Sequence, residues 1–262
     1  GEWEQLVQRI KHPQGSVEIG LVGKYVQLHD AYLSVHEALN HAGYDLNTSV
    51  DIRWIDSENL TEENYRQELA GLDGILVPGG FGGRGISGMI LAAKHARENG
   101  LPYFGICLGM QIAVIEYARN VCGMEKANSG EFDELCSEKV IDFMPGQSEN
   151  IDKGGTLRLG EYPCEIAPGT TMERCYGTSR ISERHRHRYE FNNDYRDVLT
   201  RAGLTLSGMS PDGRLVETVE LTGRPFFVGV QYHPEFKSRP NKAHPLFRGF
   251  IAAALDRAEH KR

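Results

Sequence analysis

The stretch Pro102-Tyr103-Phe104-Gly105-Ile106-Cys107-Leu108-Gly109-Met110-Gln111 constrains this chain more than any other. An apolar run ends in Gly-x-Cys-x-Gly and passes directly into a helical pattern. A strand can turn into a helix that sharply only where no Cβ obstructs the bend, and the two glycines remove that obstacle. Read this way, the segment is the cysteine form of a nucleophile elbow. The turn lifts the Cys107 sulfur to the C-terminal edge of a sheet. It also puts the sulfur at a helix N-terminus, where free N–H groups and the dipole favour thiolate. The same residues also fit a small core cysteine ahead of a capping glycine, so other parts of the chain have to decide.

Strands alternate with helices around this point. Val17 to Val22 reads as a strand ending at Gly23-Lys24. Ser34 is positioned to cap a helix through His36, Leu39 and Ala42, closed by Gly43. Val50 to Ile55 reads as a strand and Glu62 to Leu69 as a helix. Gly74 to Val77 is a buried strand that runs into Pro78-Gly79-Gly80-Phe81-Gly82-Gly83-Arg84-Gly85. A helix from Ile86 to Glu98 stops at Asn99-Gly100, and the elbow helix runs to about Val121. This predicts an α/β fold with a mostly parallel central sheet and helices on both faces. From Gly123 to Thr178 the pattern changes to loops and hairpins laid over the sheet edge, with β-like pieces at Val140 to Phe143 and Thr156 to Leu159. A helix at Asp194 to Ala202 follows. Strands are expected at Leu204 to Met209, Leu215 to Leu221 and Phe226 to Tyr232, and a closing helix at Leu246 to Leu255. At the other end, Trp3, Leu6, Val7 and Ile10 recur at helical spacing before His12-Pro13-Gln14-Gly15 breaks the pattern. Residues 1–15 therefore read as a helix and linker trailing from something upstream, and residues 16–262 as one domain.

Composition excludes several classes. A net charge of -7 argues against binding nucleic acid through bulk basicity. No apolar run approaches the roughly 18 residues of a membrane span. Gly1 to Lys11 carries charge throughout, unlike a signal peptide. The five cysteines, at positions 107, 122, 136, 164 and 175, are scattered, with no C-x-x-C pair. Neither a zinc knuckle nor a disulfide framework is expected, and no metal site; a reducing, cytoplasmic setting fits.

A thiol with an ordinary pKa of roughly 8.5 needs a base partner to react at neutral pH. Among 10 histidines, His233 in Gln231-Tyr232-His233-Pro234-Glu235 is best placed. It follows an apolar strand, Pro225 to Val230, as Cys107 does, and two parallel neighbours would end on one edge. His233 would take the thiol proton and later protonate the leaving group, with Glu235 holding the other ring nitrogen. His29, His36, His41 and His95 read as surface or packing residues. His185 and His187, in Arg184-His185-Arg186-His187-Arg188, read as a solvated strand face. Interleaved arginines and the lack of a carboxylate or thiolate close by speak against a metal there. Pro78-Gly79-Gly80-Phe81-Gly82 lacks the Gly-Lys-Ser/Thr ending of a P-loop. An oxyanion hole suits it better than a phosphate cradle, with N–H donors from Gly80 and Leu108. Residue chemistry alone thus reaches a cysteine acyl-transfer enzyme.

Pro-Gly-Gly-Phe-Gly, Gly-Ile-Cys-Leu-Gly-Met-Gln and Gln-Tyr-His-Pro-Glu-Phe together resemble the class I glutamine amidotransferases in type, order and separation. Ala127 to Phe132, Gly154 to Gly160 and Glu183 to Asn192 narrow the resemblance to the glutaminase domains of CTP synthases. It runs from about Val17 to Phe250, with Gly130 standing where those domains more often have a small hydroxyl residue. The resemblance implies hydrolysis of L-glutamine to glutamate and ammonia through Cys107, His233 and Glu235 and a γ-glutamyl thioester. It also implies glutamine-binding roles for Gly80, Phe81, Leu108, Gly109, Met110, Gln111, Glu131 and Arg188. Glu131 would answer the substrate ammonium and Arg188 its carboxylate. Residues 1–15 become the end of an interdomain helix and linker. Ammonia would pass to an N-terminal synthetase domain, absent here, that uses ATP, UTP and Mg²⁺, in an enzyme expected to be a homotetramer. This domain needs no cofactor; GTP is the implied activator, with Arg158 on a mobile loop tied to that control. Two other readings stay open: the glutaminase subunit of a different class I amidotransferase, and a regulatory module that is latent without its partner.

Overall fold

The structure is a computed structural model that describes residues 1–143 and 157–261. The first half alternates strand and helix: α1 (Glu2–Lys11), β1 (Gly15–Gly23), α2 (Leu33–Asp45), β2 (Thr48–Asp56), α3 (Tyr65–Glu68), β3 (Gly74–Val77), α4 (Ile86–Glu98), β4 (Tyr103–Ile106) and α5 (Leu108–Asn120). Then come β5 (Ala127–Ser129), β6 (Glu138–Phe143), β7 (Arg158–Ile166), α6 (Thr171–Tyr176), β8 (Arg180–His187) and β9 (Tyr189–Phe191). The chain closes with α7 (Arg196–Arg201), β10 (Thr205–Met209), β11 (Val216–Glu220), β12 (Phe227–Val230) and α8 (Pro245–His260).

Nine strands form the main sheet in the order β2-β1-β3-β4-β12-β11-β10-β7-β8. The half from β2 to β12 is parallel, as alternation with helices predicts, and the half from β12 to β8 is antiparallel. Successive side chains of the parallel strands feed opposite faces. Ile75, Val77, Tyr103 and Phe227 join α4 and α5 in one core. Leu76, Phe104, Ile106 and Val228 join α2 and α8 in the other. A second sheet, β5-β6-β9, packs on the outer side of α5. This is why every residue from Leu108 to Ala118 is buried. Even Glu116 is fully buried, its carboxylate answered by Arg97 at 2.7 and 3.0 Å; a buried carboxylate needs such a partner.

Three local expectations, for Ser34, for Glu62 to Leu69 and for Arg158, are corrected. Ser34 caps nothing: a 3₁₀ turn, His29–Tyr32, runs directly into α2, and Leu33 N–H already donates to the Asp30 carbonyl. The helix expected over Glu62 to Leu69 shrinks to the single turn α3, because Asn64 accepts from Thr61 N and donates to the Asn59 carbonyl, both at 2.8 Å. Such side-chain bonds compete with helix extension. Between Gly123 and Thr178 the described residues mix loops with β5, β6 and β7, and β7 pairs with β8 over eight residues as a hairpin at the sheet edge, as expected. Residues 154–156 lie outside the described residues. Arg158 is not on a loop but opens β7, buried.

Candidate active site

Strands β3, β4 and β12 end in register: Val77 pairs with Gly105, and Ile106 with Val230. The Gly-rich loop, Cys107 and the Gln231–Glu235 segment therefore leave the sheet side by side, at the carboxyl edge where open α/β sheets bind ligands. Cys107 sits at φ 53°, ψ -102°, and its N–H donates to the Val230 carbonyl at 2.7 Å. A left-handed cysteine between strand and helix is the strained elbow the motif predicts. Its glycines are required. A Cβ on Gly105 would meet the Gly109 carbonyl oxygen at 2.4 Å, and one on Gly109 would meet that of Val77 at 2.1 Å.

His233 donates its backbone N–H to the Arg184 carbonyl at 2.8 Å, and its Nδ1 lies 2.7 Å from Glu235 Oε1. The ring and the Cys107 sulfur line one cavity and interact electrostatically. Burial pulls the imidazole pKa down, but the interactions with Cys107 and Glu235 more than reverse this and raise it to about 10. The ring is thus charged at neutral pH. Phe236 stacks on its face, with ring centroids 5.4 Å apart. Gly79 makes room for the pair: a Cβ there would lie 3.0 Å from His233 Cε1 and 3.5 Å from Cys107 Cβ.

Gly80 lies against the start of α5, for a Cβ on it would be 3.4 Å from Leu108 Cδ2. The glycine loop is held from two sides. Glu131 Oε1 accepts from Gly82 N at 2.9 Å. Lys24 Nζ donates to the carbonyls of Phe81, at 2.7 Å, and Gly82. Burial lowers the Lys24 pKa to about 8, against the pull of Glu131. Gln111, buried, donates to the Tyr189 carbonyl at 3.0 Å and to Gln231 Oε1 at 3.2 Å. This draws the β8–β9 junction, where half-buried Arg188 sits, against the elbow helix. Gly109 and Met110 are buried in the core, Gly109 accepting from Tyr103 OH at 2.7 Å. They shape the elbow.

A cavity of about 270 Å³ opens on Cys107 and His233, lined also by Tyr25, Tyr32, Arg186 and Phe236. Of the residues expected to hold glutamine, Gly80 and Phe81 line it; Leu108, Gln111, Glu131 and Arg188 do not. Lys24 and Gln231 were not given roles on sequence. A lysine directly at the end of an apolar parallel strand was the available signal for the first.

Behind the site, the basic run forms β8 with its arginines outward and His185 and His187 buried. The solvated reading thus holds for the arginines only. Folding also sets carboxylates against this run, the nearby Glu190 and the distant Glu217. Arg158 Nη1 lies 2.5 Å from Glu217 Oε1 and 3.4 Å from Glu190 Oε1, and His185 Nε2 lies 2.9 Å from Glu217 Oε2. Burial holds both imidazoles below their ordinary pKa. Burial, then the charge of Glu217, raises the Glu190 carboxyl to about 8. Among the described residues no cluster has the makings of a metal site, and no helix is long and apolar enough to cross a membrane.

A thiol and an imidazole on one cavity, the imidazole bonded to a carboxylate, beside a glycine-rich backbone loop, are equipment for nucleophilic acyl transfer. The profile of the family Glutamine amidotransferase class-I matches residues 27–253, and the chain belongs to that family. Within it, the chain is similar to CTP synthases. It is 61% identical over 254 residues to that of Carboxydothermus hydrogenoformans, covering 97% of this chain and 48% of that enzyme. It is 56% identical over 260 residues to that of Staphylococcus aureus, covering 99% and 48%. The solved glutaminase domain of Trypanosoma brucei CTPS, with bound acivicin, superposes with a TM-score of 0.86 at 41% identity, covering 92% of this chain and 94% of that one. The chain spans about half the length of the curated relatives named here and corresponds to their glutamine amidotransferase domain.

Proposed function

We propose that this domain hydrolyses L-glutamine to glutamate and ammonia, and that the ammonia serves amination of UTP to CTP by a synthetase domain lying in the other half of the enzyme. The observation that carries the reading is the His233 ring bonded to the Glu235 carboxylate and lining one cavity with the Cys107 thiol.

The Cys107 thiolate attacks the side-chain amide carbon of glutamine, and the tetrahedral oxyanion is met by the N–H groups of Gly80 and Leu108. His233 passes its proton to the amide nitrogen, the C–N bond breaks, and ammonia leaves a γ-glutamyl thioester. Water then gives a proton to His233 and attacks the thioester carbonyl; the C–S bond breaks and glutamate departs. Glu235 fixes the ring tautomer and offsets its charge throughout. Glu131 and Arg188 answer the two charges of the substrate backbone, a bidentate role that suits arginine. In this reading GTP activates the reaction, while ATP, UTP and Mg²⁺ belong to the synthetase half of a homotetramer. Helix α1 leads in from that half, consistent with the exposure of Trp3, Val7 and Ile10.

The test is ammonia release from glutamine, with and without GTP. Cys107→Ala should abolish it while leaving the melting curve in place. Arg188→Ala should raise KM far more than it lowers kcat. Wild-type turnover by Cys107→Ala would dismiss the assignment.

A further inference from the structure

We propose that Gln231 is a further catalytic residue, whose side-chain amide donates a hydrogen bond to the Cys107 sulfur and holds it as an aimed thiolate. This rests on Cys107 being the nucleophile. Gln231 is fully buried at the exit of β12. Its Nε2 lies 3.6 Å from Cys107 Sγ, the range of an N–H···S contact.

The polarity of that contact is fixed from outside. The Tyr189 carbonyl can only accept, so the Gln111 group facing it at 3.0 Å is the NH₂. The same Gln111 nitrogen faces Gln231 at 3.2 Å, so the Gln231 atom opposite it is the oxygen. Its own NH₂ is thereby turned toward sulfur. The backbone allows no slack: Gln231 N–H donates to the Glu217 carbonyl at 2.8 Å, and Cys107 N–H to the Val230 carbonyl at 2.7 Å.

The chemistry favours one charge state. A thiolate is an acceptor only, so an N–H aimed at sulfur supports the charged form more than the thiol. Gln231 and His233 reach the sulfur from either side of Tyr232, and they differ in what happens next. The His233 proton leaves with ammonia, whereas the amide N–H stays through the whole cycle. It is in place when the thioester breaks and sulfur must depart with its electron pair.

The test compares the wild-type chain with Gln231→Met, which has similar length and no donor, and Gln231→Glu, which keeps an oxygen for Gln111. Two quantities are read: the rate of Cys107 alkylation by iodoacetamide from pH 6 to 10, and steady-state glutamine hydrolysis. Loss of a hydrogen bond to a charged group should slow alkylation at pH 7 by about tenfold to hundredfold. The rates should converge with wild type near pH 10, where any thiol ionises. The value of kcat should fall by a similar factor, with KM changed less than about threefold. Wild-type alkylation at pH 7 in both variants would overturn the proposal, even if kcat fell. Should one variant melt early, the other decides. The nucleophile assignment fails separately, if Cys107→Ala still hydrolyses glutamine.

Discussion

Lys24 Nζ lies 2.7 Å from the carbonyl oxygen of Phe81 and also donates to that of Gly82. One ammonium at the end of β1 thus grips two successive carbonyls of the loop after β3. The peptide units so held carry the Gly82 and Gly83 N–H groups, and the lysine stem packs on Gly80 as well, for a Cβ there would lie 3.8 Å from Lys24 Cδ. Lys24→Met should therefore loosen the loop that carries the proposed Gly80 donor and lower kcat by about tenfold to hundredfold. Melting should shift by only a few degrees, and a steady-state assay beside a melting curve checks both. Unchanged kcat would show that the loop holds itself.

Gly109 touches the Val77 carbonyl so closely that Gly109→Ala should cost about 3 kcal/mol or more, because backbone rather than a movable side chain opposes the new methyl. Gly83, with nothing within 4 Å of an added Cβ, is the control, and Gly83→Ala should stay within about 0.5 kcal/mol. Denaturant unfolding of the two variants separates them.

Arg158 reaches both Glu217 and Glu190 in the buried cluster. Arg158→Met leaves a carboxylate uncompensated in the interior and should cost about 3–5 kcal/mol. The double variant Arg158→Met, Glu217→Met removes both charges and should recover at least half of that. A double variant no better than the single one would mean that packing, not charge, sets the cost.

Glu190 makes stability depend on pH. Its carboxyl titrates near 8 in the fold against an ordinary 4.5. Between those values the folded protein holds one more proton than the unfolded chain, so stability falls as pH rises, by up to about 1.4 kcal/mol per unit. Glu190→Gln imitates the protonated form. Its melting temperature should match wild type at pH 5 and exceed it by about 4 °C or more at pH 9. Parallel curves at the two pH values would refute this.

The parallel half of the fold was legible because its strands are buried on both faces and spell themselves out, as Gly74 to Val77 and Tyr103 to Ile106 do. The elbow was legible because its glycines have no substitute. The antiparallel half was harder to read. The inward positions of β8 are Glu183, His185 and His187, so polarity alternates with polarity and the period-2 signal disappears. Their partners, Glu217 for His185 and His244 for Glu183, come from segments distant in sequence. Lys24 escaped notice for a related reason. Its role is written in the carbonyls of Phe81 and Gly82, which carry no side-chain signal.

Helix α5 is walled by sheet on both sides, with the elbow locked at its first residue. On the proposed mechanism the nucleophile therefore has a fixed address. Anything that switched the proposed reaction on or off would have to move the furniture around it: the strap that Lys24 fastens, the segment bearing His233, or the Arg188 junction. Control of this domain would then register as a change in who faces the sulfur, with the sulfur itself unmoved.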